Sequence, residues 1–276
     1  MKKTSVHHSR FPMIVTLVAL LFFYAPLLVV SVSSFNVSKY GGRWIGFSLK
    51  WYEKLFTDGR IWEALINTLI IALVATFIST ILGTLAALGL HRCRKGKIRA
   101  LQYSLVYSPL VVPDILLGIS MLLLFVYSFS WLNPWLEMQF GFRLELGFTT
   151  IIIAHVTFCI SYVAMVVLGR LQDFDDSIIE AAQDLGANRY QIFFKIVLPV
   201  ILPGVIAGAL FAFTLSIDDF VITFFVKGAG DTTLPIYIQS AMRRGTPAVI
   251  NALSVVFLVL TFLLVFISQK LLEKKK

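Results

Sequence analysis

Uninterrupted apolar runs decide what this chain can fold into. From Met13 to Phe35 (MIVTLVALLFFYAPLLVVSVSSF) no side chain carries a charge. The hydrocarbon core of a bilayer takes about 20 mostly apolar residues in a helix. Five further stretches meet that requirement, near 67–90, 101–129, 148–169, 200–226 and 249–269. The third is broken by Pro109 and Pro113. Hydrophobic residues make up 58% of the 276 positions and charged residues 14%, against roughly 45–50% and about 25% in soluble domains. A soluble globule is therefore excluded. So is a disordered chain, which needs low hydrophobicity and high charge. Two cysteines, Cys93 and Cys159, cannot staple a chain of this length. The reading is an all-α integral membrane protein with six transmembrane helices, one domain over 1–276.

Lys and Arg number 24 against 15 Asp and Glu, a net charge of +9. In a membrane protein such an excess collects in cytoplasmic loops, so it does not call for a nucleic-acid partner. The short 91–100 loop is the clearest case, with Arg92, Arg94, Lys95, Lys97 and Arg99. The N-terminal segment (Lys2, Lys3, Arg10), the 170–199 loop and the C-terminus (Lys270, Lys274, Lys275, Lys276) fall on the same side, which places both termini in the cytoplasm. The first apolar run exceeds a signal peptide's usual 7–15 residues, and only Ser31-Val32-Ser33 offers a weak cleavage site, so it reads as a retained anchor. All five Trp fall in the two outer loops, Trp44, Trp51 and Trp62 in one and Trp131 and Trp135 in the other, where indoles meet the membrane interface. The near-helical spacing of Trp51, Leu55, Trp62 and Leu65 predicts a surface helix over 48–65, or a loop covering the bundle.

The most informative stretch lies between spans four and five: Glu180-Ala-Ala-Gln-Asp-Leu-Gly186, nine residues, then Ile196-Val-Leu-Pro199. It reads as two short helices. Asp175, Asp176 or Ser177 caps the first, whose apolar stripe is Ile178, Ile179, Ala182 and Leu185. Gly186 sits where a helix ends in the left-handed region. Ile192, Phe193 and Ile196 continue the apolar face until Pro199 ends the segment. An apolar patch on such a loop needs a cover, from a partner or from the chain's own bundle.

The same stretch is similar to the EAA motif of ABC importer permeases, E-A-A-x-x-x-G followed by nine residues and I-x-L-P. The resemblance implies the type I importer permease fold. It implies that the 176–196 segment couples to an ATPase subunit, with Glu180, Ala181, Ala182 and Gly186 as its contact or turn residues. Ser108-Pro-Leu-Val-Val-Pro-Asp-Ile115, Ala154-His-Val-Thr-Phe-Cys159, Phe213-Thr-Leu-Ser-Ile-Asp-Asp219, Asn251-Ala-Leu253, Ser34-Phe-Asn36 and Trp51-Tyr52 resemble the spermidine/putrescine branch. That branch implies a homologous permease subunit, an ATPase dimer carrying ATP and Mg, and an external substrate-binding protein as partners, in a bacterial inner membrane. No cofactor is expected on this chain, which has no G-x-x-x-x-G-K-[ST] sequence to hold ATP.

Three carboxylates, Asp114, Asp218 and Asp219, fall at membrane depth, where such groups face a cavity, a partner or a cation. A flexible polycation would be held by them and by aromatic faces, here Tyr107, Phe211, Phe213 and Phe220. On a continuous helix Asp218 and Asp219 stand about 100° apart. Either one faces the pathway and the other a helix terminus or a partner's cation, or the two are a purely structural pair near the outer end of span five. Asp114, after Pro113, caps a second half-helix or contacts substrate. The small residues Gly204, Gly208 and Ala212 permit close helix contact, within the bundle or between subunits. His155 reads as an interhelical hydrogen-bond partner. His7, His8 and His91 have no metal-ligand spacing, and both cysteines read as free thiols. Gly228-Ala-Gly-Asp231 matches an intramembrane protease string, but there is no Tyr-Asp to supply a second carboxylate, and no HExxH or G-x-S-x-G. The chain is thus expected to be a pathway subunit rather than an enzyme. A permease for another small solute such as an aminophosphonate, or a secondary transporter, stands as the alternative.

Overall fold

The computed structural model describes residues 10–40, 42–93, 96–172, 174–175, 177–245 and 247–273. Lys2, Lys3, His7, His8, Arg94, Lys95, Asp176 and Lys274–Lys276, invoked above for charge, capping or metal spacing, lie outside them. The described residues form helices in the order α1 (Arg10–Ser34), α2 (Lys50–Thr57), α3 (Gly59–Arg92), α4 (Lys97–Val111), α5 (Asp114–Phe140), α6 (Phe148–Gln172), α7 (Ser177–Asp184) and α8 (Arg189–Ile192). A π-helical turn (Phe193–Val197), α9 (Leu198–Asp218), α10 (Val221–Val226), α11 (Leu234–Arg243) and α12 (Pro247–Glu273) follow. No strand occurs among them, only an isolated bridge between Asn36 and Phe47. Among the described residues, five helices are long and apolar enough to cross a membrane: Phe11–Ser34, Gly59–Arg92, Asp114–Phe140, Phe148–Gln172 and Arg189–Asp218. The described apolar part of α12, Ala248–Leu263, is shorter.

The chain divides into two compact units. In the first, residues 1–61 with 238–276, α12 packs against α1 and α2. A polar joint built on Asn36 closes the loop between α1 and α2. Asn36 donates through Nδ2 to Arg43 O (3.0 Å), and its Oδ1 accepts from the Ser38 and Ile45 N–H groups. The Asn36 carbonyl accepts from Trp51 Nε1 (2.8 Å), and Ser34 and Tyr52 share a hydroxyl bond of 2.7 Å. Phe35 stacks between Phe47 and Tyr52. The Ser34-Phe-Asn36 and Trp51-Tyr52 strings are thus two halves of one joint.

The single surface helix expected over 48–65 is instead two helices. Asp58 leaves helical geometry, and its carboxylate accepts from the Arg60 N–H and pairs with the Arg60 guanidinium at 3.0 Å. That bond to Arg60 holds the Asp58 carboxyl below the usual carboxylate range. Trp51 and Leu55 are buried, and Trp62 belongs to the long helix α3.

In the second unit, residues 62–237, α6 packs most extensively on α9, and α4, α5 and α10 also contact it. The core runs through Ile151, Ala154, Cys159, Val163 and Val167 of α6 and Ile201 and Ala212 of α9. The small-residue face of α9 serves this packing. Gly204 lies against Arg170, Gly208 against Val163, and the Ala212 carbonyl faces Cys159 Sγ at 3.6 Å. Cys93 and Cys159 are both free thiols.

Three expectations about prolines and tryptophans need correction. Pro109 does not break its helix. A proline there removes the N–H that would bond the Leu105 carbonyl, and Ser108 Oγ takes that place, donating to Leu105 O at 3.3 Å. The break falls at Val112-Pro113 alone. Pro199 does not end the coupling segment either. The chain widens into the π turn just before it, where the Leu198 N–H reaches Phe193 O. The wider turn relieves the crowding that a proline ring imposes on the preceding turn, so the helix runs on to Asp218. Finally, α5 continues to Phe140, which puts Trp131 and Trp135 on a helix rather than in a loop.

Candidate functional site

The 170–199 segment follows α6 directly. The Asp175 carboxylate accepts the Ser177 N–H at 2.9 Å at the start of α7, and this bond keeps Asp175 below the usual carboxylate range. At the far end Gly186 has φ +82°. The Ala187 N–H bonds Ala182 O (3.0 Å) and the Gly186 N–H bonds Gln183 O (2.8 Å), the Schellman pattern that only a left-handed residue at this position closes. Asn188 then opens α8 with a capping box, exchanging bonds with Gln191. The apolar stripe predicted on α7 divides. Ile179 and Ala182 pack toward the core. Leu185 is 89% exposed, and Ile178, Tyr190 of α8 and Phe194 of the π turn are exposed with it. Ala181 is also exposed. Glu180 lines a cavity of about 290 Å³ together with Leu88, His91 and Arg92 at the end of α3.

A second cavity, of about 270 Å³, opens where two helices break. Its lining includes Asp114, Asp218, Asp219, Phe158, Tyr162 and Phe220. All three sequence-predicted carboxylates therefore meet at one cavity. Phe213 and Tyr107 are not among its lining residues; Tyr107 is exposed on α4 and Phe213 half-buried on α9. Asp114 makes no side-chain cap. Pro113 occupies the cap position and Asp114 is the first helical residue of α5, where a negative charge meets the positive end of the helix dipole.

The two adjacent carboxylates are separated by a break rather than by a helical angle. Asp218 is the last residue of α9, exposed to the cavity; Asp219 is extended, with φ −66° and ψ 121°. Asp219 Oδ1 accepts the Ile222 N–H at 3.2 Å, and Oδ2 accepts the Thr223 N–H at 2.8 Å and the Thr223 hydroxyl at 2.7 Å. These bonds start α10. His155 Nε2 stands 2.9 Å from Thr223 Oγ1 and 3.3 Å from Asp219 Oδ2, and its Nδ1 is 2.7 Å from Ser216 Oγ. His155 is thus the interhelical hydrogen-bond partner its position implied. Among the described residues no group of three or more His, Cys, Asp or Glu stands close enough to hold a metal ion, so the carboxylates line a space without converging on a point.

Tyr162 and Phe158 were not singled out as cavity residues in the sequence. The signal was available: 155, 158 and 162 recur at helical spacing on one face of α6, with His155 marking that face as the polar one.

The model of the family described as "Binding-protein-dependent transport system inner membrane component" matches residues 79–276. The chain is 41% identical to the putrescine transport system permease protein PotI of Escherichia coli (strain K12), over 99% of this chain and 95% of that protein. It is 38% identical to the spermidine/putrescine transport system permease protein PotC of Haemophilus influenzae, over 92% and 93%. The fold is similar to a chain of a bacterial ABC transporter involved in the import of the acidic polysaccharide alginate, with a TM-score of 0.71 at 18% identity, covering 92% and 91% of the two chains.

Proposed function

The chain belongs to the family of binding-protein-dependent transport system inner membrane components, a multi-pass membrane protein, and on that footing we propose that it forms half of the translocation pathway of an ATP-driven importer for polyamines, putrescine or spermidine. The observation that carries the substrate class is the carboxylate-lined cavity. Asp114 and Asp218 are exposed to it, beside the aromatic faces of Phe158, Tyr162 and Phe220. A flexible polycation is stabilised by anionic oxygens and by aromatic faces, whereas an anion would be repelled. The identity to PotI and PotC supports the same reading. The likeness to an importer of an acidic polysaccharide does not oppose it, because one fold carries many substrates.

In this reading the partners are a homologous permease subunit, a pair of ATPase subunits that bind ATP and Mg, an extracytoplasmic binding protein and the lipid of a bacterial inner membrane. No nucleic acid and no cofactor of this chain's own take part. The exposed apolar residues around Leu185 and Tyr190 form the face that docks on the ATPase, and Glu180, Ala181, Ala182 and Gly186 are its contact and turn residues. ATP binding moves α7, the motion passes into α6 and α9, and the cavity opens to receive the cation from the binding protein.

The test is uptake of radiolabelled putrescine and spermidine by proteoliposomes holding the full complex, with an aminophosphonate as comparison solute. ATP-dependent uptake of either polyamine is the expected result. Uptake of the aminophosphonate alone would overturn the substrate class, and uptake without the ATPase would overturn the importer.

A further inference from the structure

His155 is 1% exposed and sits on α6, the helix at the centre of the second unit's core. Its hydrogen bonds fix its role. An ionised carboxylate only accepts, so the Thr223 hydroxyl spends its one proton on Asp219 Oδ2. The 2.9 Å contact between His155 Nε2 and Thr223 Oγ1 must therefore be donated by the imidazole. The same N–H lies 3.3 Å from Asp219 Oδ2. In the neutral ring Nδ1 then accepts from the Ser216 hydroxyl at 2.7 Å. This tautomer is assigned from the network. One ring thereby ties α6 to the last turn of α9, to the first turn of α10 and to the carboxylate between them.

The consequence is a division of labour among three carboxylates that look alike in the sequence. Oδ2 of Asp219 has three donors and Oδ1 one. No hydrogen bond to the carboxylates of Asp114 or Asp218 is found among the described residues, and both are exposed to the cavity. A carboxylate saturated by fixed donors has little left to offer a passing cation, whereas a free one keeps its full attraction. We propose that His155 is a positioning residue for transport: it holds Asp219 as the cap of α10, so that the chain stays broken after Asp218 and Asp114 and Asp218 alone face the cation. The proposal rests on the function proposed above.

A double-mutant cycle in the full reconstituted complex tests it, with H155L, D219N and the pair compared for maximal uptake rate and half-saturating polyamine concentration. Assembly is checked by co-purification of the subunits. H155L is expected to lower the maximal rate at least tenfold while changing the half-saturating concentration less than threefold. H155Q, whose amide keeps a donor near the Nε2 position, restores most of the rate. In the D219N background H155L adds less than twofold, because the group it positions is already altered. Multiplicative effects of the two substitutions would overturn the proposal, as they would show His155 acting independently of Asp219. So would equal losses in H155L and H155Q, or loss of assembly with H155L, which would mark a packing role. Wild-type vesicles run in parallel separate the two failures. Absent polyamine uptake there overturns the function itself, while a transporting wild type with independent variants overturns only the role of His155.

Discussion

Chemistry at the level of single residues depends on what each side chain is already bonded to. Asp218 and Asp219 are neighbours of identical type, yet one is exposed to the cavity and the other is held by Thr223, Ile222 and His155. D218N is accordingly expected to raise the half-saturating polyamine concentration roughly tenfold, the loss of one charged contact of about 1.4 kcal/mol. D219N is expected to act mainly on maximal rate. Uptake measured against substrate concentration separates the two. Asn36 is a structural counterpart, its amide making three hydrogen bonds at the α1–α2 joint. N36A removes the acceptor of the Ser38 and Ile45 N–H groups and the donor to the Arg43 carbonyl, at a cost of about 1–3 kcal/mol, read as a lowered melting temperature of the purified complex. The sequence marks Asp114, Asp218 and Asp219 as unusual because charge at membrane depth is costly. It does not tell them apart, because the distinction comes from the helix break that lets Ile222 and Thr223 bond Asp219 and from His155, far away in the chain.

Turns and packing faces govern the next scale. Gly186 is legible from the sequence, since a residue at φ +82° ending an amphipathic turn is nearly always glycine. A Cβ there would meet no other atom within 4 Å, so substitution carries only a backbone cost. G186N, a residue that tolerates the left-handed region, is expected to keep most transport. G186V, costing about 1–2 kcal/mol, is expected to lose most of it with the complex still assembled. The opposite case is Gly83, where an added Cβ would stand 2.7 Å from Val163 Cβ and 2.9 Å from the Ile160 carbonyl. G83A should therefore destabilise the complex by about 1–3 kcal/mol, seen in thermal unfolding. The prolines were less legible. Whether a proline breaks a membrane helix depends on whether something replaces its missing N–H. Ser108 does so for Pro109, and the π turn makes room for Pro199. The α7 stripe divided for a similar reason: helical spacing names an apolar set but not which members the fold covers.

The second unit carries two features built from different residues. The carboxylate cavity is built on α5, α6, α9 and α10, and the exposed apolar face of α7 and α8 lies between α6 and α9 in the chain. All-helical membrane character, the helix break near Asp114 and the special turn at Gly186 could be read from apolar run length and residue type, whereas the break after Asp218 could not, because the apolar run continues through it to Val226. The lining of the cavity was legible only in part: helical spacing places His155, Phe158 and Tyr162 on one face of α6, but which residues line the cavity is set by the packing of α6 on α9. The proposed function requires α7 to transmit the ATPase cycle to this cavity. It is tested most directly by measuring ATP hydrolysis and polyamine uptake together in proteoliposomes carrying wild type or E180K. E180K, in a complex that still assembles, is expected to abolish uptake while the ATPases retain hydrolysis. Uptake at the wild-type rate in that variant would contradict it.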